Sequence, residues 1–379
     1  MEKKFKTKNQ HYVPQFYLRN FSEDGCGIRT LNLATSKIIP HAKLKNQCSK
    51  AYFYGENGIL ETALGEMETS FSQAFKKCIF LNSPKYRISD ETFYFLSMFA
   101  AIQYMRTKKY MDIAKHFGQE LYGTVAEFYI KANNLDVSPN QYSIETESFF
   151  SSFILKIGIL NQPLLNDLEC VILNNETTED FVLSDNPVVF QNPFIEKFLK
   201  HSFSGMASKG LQIYFPISPK KIICFYDSDV YKFKGRNIID IKSPKDIESI
   251  NQLQFINADK NVYFEKENFN TEKYLSFRKK QLELQAAPIG KYINPQEPNE
   301  FSIRISPSPN IDFKLSIFSI KPTMLRKAFH SSCNLQDWIR NKKMLLLVNE
   351  YIKNINKGLS DGTDFAIFFE KKMKKSKIL

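Results

Sequence analysis

The chain of 379 residues has a single tryptophan, no Cys-x-x-Cys pair and no long apolar run. Its six cysteines are scattered, which argues against a structural zinc site and against a disulfide framework. No apolar run approaches the ~18 residues of a membrane-spanning helix, and no apolar segment follows the basic N-terminus as it does in a signal peptide. These absences predict a cytoplasmic protein with reduced thiols and no membrane partner.

Several motifs of nucleotide-dependent and hydrolytic enzymes are also missing. The sequence contains no P-loop, no Gly-x-Gly-x-x-Gly after a strand, no His-Glu-x-x-His, no Gly-x-Ser-x-Gly and no helix-turn-helix pattern. Nucleotide-driven chemistry, dinucleotide chemistry and serine hydrolysis therefore have no support. What the chain does have is a net charge of +12, with lysine more frequent than arginine. A positive field of this kind attracts nucleic acid and other anionic partners.

The apolar periodicity divides the chain into a helical block and a sheet-rich block. Residues 59–160 have apolar side chains at helical spacing, and residues 168–265 have short apolar runs between turn residues. We therefore expect an α+β fold, in which a helical block packs on a mostly antiparallel sheet. The expected organisation is a basic arm (1–10), an α+β domain (11–289) and a C-terminal extension (290–379).

The local pattern predicts two hairpins in the sheet-rich block, and a strand and a helix in the C-terminal extension. Residues 168–174 and 179–184 are expected to form a hairpin, as are residues 212–217 and 222–226. In the extension, the pattern predicts a strand over 312–320 and a helix over 334–354, before a lysine-rich tail at 371–377.

The densest polar chemistry lies in the stretch Gln10-His11-Tyr12-Val13-Pro14-Gln15-Phe16-Tyr17-Leu18-Arg19-Asn20-Phe21. Further segments are a helix with Glu61 and Glu68, the run Phe99-Ala100-Ala101-Ile102-Gln103-Tyr104-Met105-Arg106-Thr107, Ser184-Asp185-Asn186-Pro187, Phe215-Pro216-Ile217-Ser218-Pro219 and a helix with Asn251. Over residues 8–265 these motifs resemble a bacterial family, the domain of unknown function 4238. Lys108 departs from that pattern, in which a proline is expected. The resemblance names no activity, but it implies that these polar residues belong to one constellation.

Two residues of these motifs are the first candidates for catalysis. His11 has the side chain of a general base or metal ligand near neutral pH, or is a structural histidine at a helix start. Asp185 follows an apolar strand, where it can hold a divalent metal, orient His11 or act as a base. The alternative for Asp185 is a turn in which it or Asn186 caps its own backbone before the proline.

Arg106 and Gln103 lie three residues apart on a very apolar helix and should share a face. A buried arginine needs a partner, which is Glu68 or Asp185 in a structural role, or a substrate phosphate or carboxylate in a functional one. Glu61 and Glu68 share a face of the preceding helix. The alternative to a functional role is that this face is simply exposed to solvent. The set expected to bind substrate is Gln10, Gln103, Arg106 and Asn186.

These residues support a hydrolase acting on phosphodiesters, most simply a nuclease. His11, Asp185 and Glu68 are its expected catalytic residues, with Asp185 and Glu68 holding Mg²⁺ or Mn²⁺ and Arg106 clamping a phosphate. Such an activity suits a bacterial toxin or phage-defence effector. The first alternative is a nucleic-acid or nucleotide binding module without catalysis. The second is that the motifs are structural nodes and that function lies in residues 290–379 or in a partner protein.

Overall fold

A computed structural model describes residues 8–136, 147–198, 205–284, 289–293, 301–305, 311–330, 335–359, 367–369 and 371–372, apart from residues 57, 84, 86 and 236. Most of the expected basic arm and residues 373–377 of the expected lysine-rich tail lie outside this part of the chain. Among the helices that the structure describes, none is long and apolar enough to span a bilayer.

The helices fall largely where the periodicity predicts them. They are α1 (Gln15–Arg19), α2 (Ile59–Ile79), α3 (Asp90–Arg106), α4 (Lys108–Ala132), α5 (Glu147–Asn161), α6 (Pro193–Glu196), α7 (Pro244–Asn257), α8 (Thr271–Glu283), α9 (Pro322–His330) and α10 (Lys342–Asn356). The hydroxyl of Ser89 accepts a hydrogen bond from the backbone N–H of Thr92 at 3.2 Å, as its position before α3 predicts.

The strands form two main sheets and three two-stranded ribbons. The strands are β1 (Asn9–His11), β2 (Gly27–Asn32), β3 (Lys37–Lys43), β4 (Ser49–Ala51), β5 (Glu169–Asn175), β6 (Leu183–Ser184), β7 (Val189–Gln191), β8 (Gln212–Ser218), β9 (Lys221–Tyr226), β10 (Tyr231–Phe233), β11 (Ile238–Ile241), β12 (Asn261–Phe264), β13 (Ile289–Ile293), β14 (Phe301–Ile305) and β15 (Phe318–Ile320). One sheet has the order β11-β5-β9-β8-β7 and the other β3-β2-β12-β6. Within the described ranges, the strands pair antiparallel except for β11 with β5, which is parallel.

The helical block packs on the five-stranded sheet through aromatic rings. The Phe99 ring of α3 lies 4.8 Å from that of Phe75 on α2 and 5.5 Å from that of Phe215 on β8, measured between centroids. The second half of α3 is buried on all sides because α2, α5 and the sheet surround it, which explains why its sequence is apolar throughout. The expected α+β architecture, a helical block on a mostly antiparallel sheet, is confirmed.

The predicted hairpin of residues 168–174 and 179–184 is wrong. β5 pairs with β9 and β11, whereas β6 pairs with β12 in the other sheet. The intervening chain turns away because Asn175 Oδ1 accepts the backbone N–H of Thr177, and Phe181 donates its N–H to the carbonyl of Pro219. The second predicted hairpin, β8 with β9, is confirmed.

A buried lysine joins that hairpin to the helical block. Lys221, at the start of β9, donates its ammonium to the carbonyl oxygens of Ile79 at 2.7 Å and Leu81 at 2.6 Å, and to Asn82 Oδ1 at 2.9 Å. These carbonyls follow the last turn of α2, where the helix leaves acceptors without partners. The sheet therefore caps the helix that carries Glu61 and Glu68.

The C-terminal residues are part of the packed fold. β15 pairs with β10, and Arg340 bonds to the main chain of residues 164–208. On α10, Val348 and Tyr351 are fully buried. Removing residues 290–379 would expose the apolar residues of the main domain against which α10 packs, such as Leu164 and Leu165. Loss of function on such a deletion would therefore not by itself show that function lies in the extension.

Two predictions for the C-terminal region need correction. The predicted strand over 312–320 is reduced to β15, Phe318–Ile320. The predicted helix over 334–354 is divided into a short 3-10 turn, Leu335–Trp338, and α10, which begins after Asn341. The break arises because the Asn341 side chain accepts the N–H of Met344 at 2.9 Å and so caps α10 at that point.

Candidate functional site

The N-terminal motif is held through its main chain. The guanidinium of Arg106 donates to the carbonyl oxygen of His11 at 3.0 Å, and the Tyr54 hydroxyl donates to the same oxygen at 3.2 Å. Gln103 Nε2 donates to the carbonyl of Tyr12 at 2.9 Å. The motif and the second half of α3 are therefore brought together, as the resemblance implied, and the contacts are between side chains of α3 and carbonyls of the motif.

The glutamines expected to bind substrate bind the chain itself. Gln10 accepts the backbone N–H of Tyr54 at 2.6 Å and donates to the carbonyl of Gly55 at 3.1 Å. Gln10 and Gln103 are both buried. This burial argues against the expectation that their amides contact a substrate, because Gln10 bonds β1 to residues 54 and 55 and Gln103 bonds α3 to Tyr12.

Arg106 pairs with a carboxylate of the protein itself, which is the structural one of the two alternatives stated above. Its guanidinium pairs with Glu68 Oε1 at 2.8 Å, and its side chain is 1% exposed, against 27% for that of Glu68. The Nε atom of Arg106 is buried and has no acceptor among the described residues. Arg106 is thus an internal cation that orders the site, and its burial corrects the expectation of a phosphate clamp.

The imidazole of His11 has one bonded and one unbonded nitrogen. Nε2 lies 3.2 Å from the carbonyl oxygen of Lys45. Since a carbonyl only accepts, Nε2 carries the proton in the neutral ring, and the lone pair is on Nδ1. Nδ1 has no partner among the residues that the structure describes. Burial lowers the pKa of His11, against the opposing influence of the Lys45 carbonyl and of Glu68. The ring is therefore poised as a neutral base near pH 7.

Glu61 lies on the same face of α2 as Glu68, two turns nearer the start of the helix, and close to the same arginine. Burial raises the pKa of Glu61 to about 7, with Arg106 lowering it and Glu68 raising it further. A carboxyl group with this pKa is partly protonated at neutral pH and can act as a general acid. Sequence reasoning placed Glu61 on the shared face but chose Glu68 for catalysis. The signal that distinguishes them, the ion pair of Glu68 with Arg106, exists only in three dimensions.

Asp185 fixes a turn through its carboxylate. Its Oδ1 accepts the N–H of Asp259 at 2.8 Å, and its Oδ2 accepts those of Lys260 at 2.8 Å and Asn261 at 3.0 Å. Burial raises the pKa of Asp185 to about 6, although these backbone N–H groups lower it. Among the described residues, no hydrogen bond or ion pair joins Asp185 to His11, Glu68 or Arg106. Asp185 therefore does not orient His11 by a direct hydrogen bond, and a shared site of the two residues stays a prediction.

Asn186 is likewise engaged with the fold. Asn186 Nδ2 donates to the carbonyl of Asn257 at 3.2 Å, and Asn257 Nδ2 donates to the carbonyl of Asn186 at 2.6 Å. Two more side chains of α7 reach the same segment: Gln254 accepts from the hydroxyl of Ser184, and Asn251 accepts the N–H of Val182. Asn186 is thus a structural node, not the expected substrate ligand. The spacing 251, 254 and 257 on one helix face is the sequence signal for this ladder of amides.

The expected divalent metal does not fit these positions. Glu68 bonds to Arg106 while Asp185 bonds to the backbone of residues 259–261, so the two carboxylates do not share a site. Within the described part of the chain, no group of three His, Cys, Asp or Glu residues is arranged to hold a metal ion.

A lysine-rich segment adjoins the His11 cluster. Residues 25–55 contain four lysines and Arg29 but no aspartate or glutamate. Two of these lysines, Lys45 and Lys50, are exposed, and the main chain of both contacts β1: Lys45 through its carbonyl and Lys50 in register with Gln10. The surroundings of His11 thus favour an anionic partner.

Comparison with protein-family models matches residues 9–268 to the family described as "Protein of unknown function (DUF4238)". Neither the curated proteins nor the solved structures contain a match to the chain. The matched residues include the N-terminal motif, α2, α3, the Ser184–Pro187 segment and the amide ladder of α7. The chain therefore belongs to the DUF4238 family.

Proposed function

We propose that the protein is a phosphodiester hydrolase, most simply a nuclease, that acts by general acid–base catalysis at His11 and Glu61. The observation that carries this proposal is the pair of opposite pKa shifts around one ion pair. His11 is biased toward its neutral form and Glu61 toward its protonated form, and both interact electrostatically with Glu68 and Arg106. Two titratable groups displaced in opposite directions at one site are a typical arrangement of a base and an acid.

The proposed reaction assigns one proton transfer to each group. His11 Nδ1 takes a proton from the attacking water or hydroxyl, whose oxygen forms a bond to phosphorus. The bond from phosphorus to the leaving oxygen breaks, and Glu61 donates its proton to that oxygen. The products are a phosphomonoester or cyclic phosphate and an alcohol, and proton exchange with water restores both side chains. The exposed Lys45 and Lys50 supply positive charge for the substrate.

Two substitutions test the assignment on single-stranded RNA, single-stranded DNA and duplex DNA. The single variants His11→Ala and Glu61→Gln are each expected to lower kcat/KM by about 100-fold or more on the same substrate, because each removes a proton-transfer group. Initial rates of fluorescent oligonucleotide cleavage measure this effect. His41→Ala and Glu66→Gln are matched controls, since His41 pairs with Asp24 at the surface and Glu66 is exposed on α2. The controls should keep the wild-type rate.

The same assay separates catalysis from binding alone. If wild type, His11→Ala and Glu61→Gln all gave the same background cleavage, the proposed nuclease activity would be excluded. Binding that weakens steeply with salt, in the absence of turnover, would instead identify a nucleic-acid binding module. Each reaction is run with EDTA and with added Mg²⁺ or Mn²⁺. Since the acid–base assignment has no metal-dependent step, cleavage in EDTA is the expected result.

The pH dependence follows from the two pKa shifts. Glu61 acts in its protonated form, so kcat/KM should fall as the pH rises through about 7, the raised pKa of that carboxyl. His11 acts in its neutral form, so kcat/KM should fall as the pH drops through its pKa, which burial has lowered. The expected profile is a bell with a slightly acidic maximum, measured at constant ionic strength. In Glu61→Gln the fall on the alkaline side should disappear from the residual activity, and its persistence would contradict the assignment.

A further inference from the structure

A cavity of about 690 Å³ shares no lining residue with the surroundings of His11 and Glu61, and it has no part in the proposed reaction. Its lining comes from α6 and Lys197, from Gln212 on β8 and Tyr231 on β10, and from residues 311–325. The family match ends at residue 268, so residues outside the matched region complete the cavity. Small-molecule sites have volumes of about 300–1,000 Å³, and this cavity is within that range.

The walls of the cavity are largely aromatic. Tyr231, Phe313 and Phe318 line it, and the rings of Tyr231 and Phe318 lie 6.1 Å apart between centroids. The ring of Phe313 also packs against that of Tyr214, with 5.2 Å between the ring centroids. These contacts hold the rings in place, so the cavity can accept a flat apolar body without reorganising its walls.

Two carboxylates without a cationic partner line the same cavity. Glu196 is half-buried, and burial raises its pKa to about 7, with Asp312 among the causes that raise it. In the described part of the chain neither Glu196 nor Asp312 forms an ion pair. Lys197 and Lys314 also line the cavity, but both are exposed, and neither approaches these carboxylates within 4.0 Å. In a protein with a net charge of +12, an unpaired acidic pair is a local exception.

A buried amide supplies a third polar group. Gln212 lines the cavity and is 2% exposed. Its Oε1 accepts from the hydroxyl of Tyr214 at 2.9 Å, whereas its Nε2 has no acceptor among the described residues. Because Gln212 lines the cavity, its Nε2 is available there as a hydrogen-bond donor for a bound group. Gln212 therefore points to a ligand that carries an oxygen or another acceptor.

We propose that this cavity binds a small aromatic amine: an organic cation with one ring and a hydrogen-bond acceptor. The ammonium neutralises the Glu196–Asp312 pair, the ring packs between Tyr231, Phe313 and Phe318, and the acceptor bonds to Gln212 Nε2. A cation beside carboxylates and aromatic faces gains both ion-pair and cation–π stabilisation. The site is separate from His11 and Glu61, so it holds whether or not the protein cleaves phosphodiesters.

Three probes of nearly the same shape test the charge that the cavity accepts: tyramine, its neutral alcohol analogue tyrosol, and the anion 4-hydroxyphenylacetate. The full chain is titrated with each probe by isothermal calorimetry and by saturation-transfer NMR. Tyramine is expected to bind at least about tenfold more tightly than tyrosol, and the anion more weakly than both. Equal affinity for all three, stronger binding of the anion, or no binding of tyramine at millimolar concentration would overturn the proposal.

Two variants locate the binding. In Glu196→Gln, tyramine should lose its advantage of about tenfold, while tyrosol binds as it does to wild type. In Leu325→Trp, the added ring fills the cavity and should abolish binding of both probes. Glu267→Gln, an exposed change outside the cavity, is the matched control and should bind all probes as wild type does. Each variant is shown to be folded by a thermal unfolding midpoint equal to that of the wild-type protein. Unchanged tyramine affinity in folded Glu196→Gln would overturn the assignment of the cation site.

Discussion

Replacement of Glu68 with methionine is expected to lower the free energy of unfolding by about 3–5 kcal/mol. The change leaves the guanidinium of Arg106, which is 1% exposed, without the carboxylate that lies 2.8 Å from it. A charge that is buried without an ionic partner is strongly unfavourable, and the hydrogen bond to the His11 carbonyl offsets only part of the cost. Urea-induced unfolding followed by far-UV circular dichroism measures the difference from the shift of the midpoint at constant slope.

The double variant Glu68→Met, Arg106→Met is the informative comparison. With both charges removed, no unpaired cation remains, so the double variant should be more stable than Glu68→Met alone. Glu66→Met is the matched control on the same helix. Because Glu66 is exposed, its replacement should change the free energy of unfolding by less than about 0.5 kcal/mol. If Glu68→Met were no more harmful than Glu66→Met, the ion pair would not be ordering the site.

Replacement of Arg340 with methionine should cost about 3 kcal/mol of unfolding free energy. The guanidinium pairs with Asp167 at 2.9 Å and donates to the carbonyls of Leu164, Met206 at 2.9 Å and Ser208 at 2.8 Å. This one side chain therefore joins the C-terminal residues to two segments of the main domain, residues 164–167 and 206–208. Fluorescence of Trp338, the single tryptophan, reports the same region during urea unfolding.

Two control variants separate the charge of Arg340 from the planar shape of its guanidinium and from a general effect of losing an arginine. Arg340→Lys keeps the charge but lacks the planar fork that reaches four acceptors, so its stability should fall between those of wild type and Arg340→Met. Arg326→Met removes an exposed arginine from α9 and should be nearly neutral. A Trp338 transition that is unchanged in Arg340→Met would show that other contacts attach the C-terminal residues.

The requirement for a partner at Arg106 could be predicted from the sequence, but its identity could not. An arginine within a run of apolar helical residues must be paired, and that argument needs only local pattern and the cost of an unpaired charge. The choice between Glu68 and Asp185 depends on how α2 and β6 are placed around α3. That placement is set by packing between elements far apart in the chain, which no local pattern contains.

The role of Asp185 shows the same limit. The sequence alternatives included an aspartate that caps its own turn, and the carboxylate does accept backbone N–H groups. The donors, however, belong to residues 259–261, which follow Asp185 by more than seventy positions. The mistaken hairpin has the same origin, because β5 and β6 are close in sequence but pair with strands of different sheets. Most elements and the local β8–β9 hairpin were predictable from local pattern, whereas partners distant in the sequence were not.

The pairing of β2 with β12 bears on how the chain folds during synthesis. Asn32 and Asn261 are opposite each other, 229 residues apart, so β2 is made long before its neighbour exists. At translation rates of about 5–20 residues per second, the β2–β3 hairpin waits about 10–50 s for β12. During that interval the strand edge that β12 later covers is unpaired, and Leu31 is without the pocket that buries it. The nascent chain should therefore depend on a chaperone at this stage, more than its final fold alone suggests.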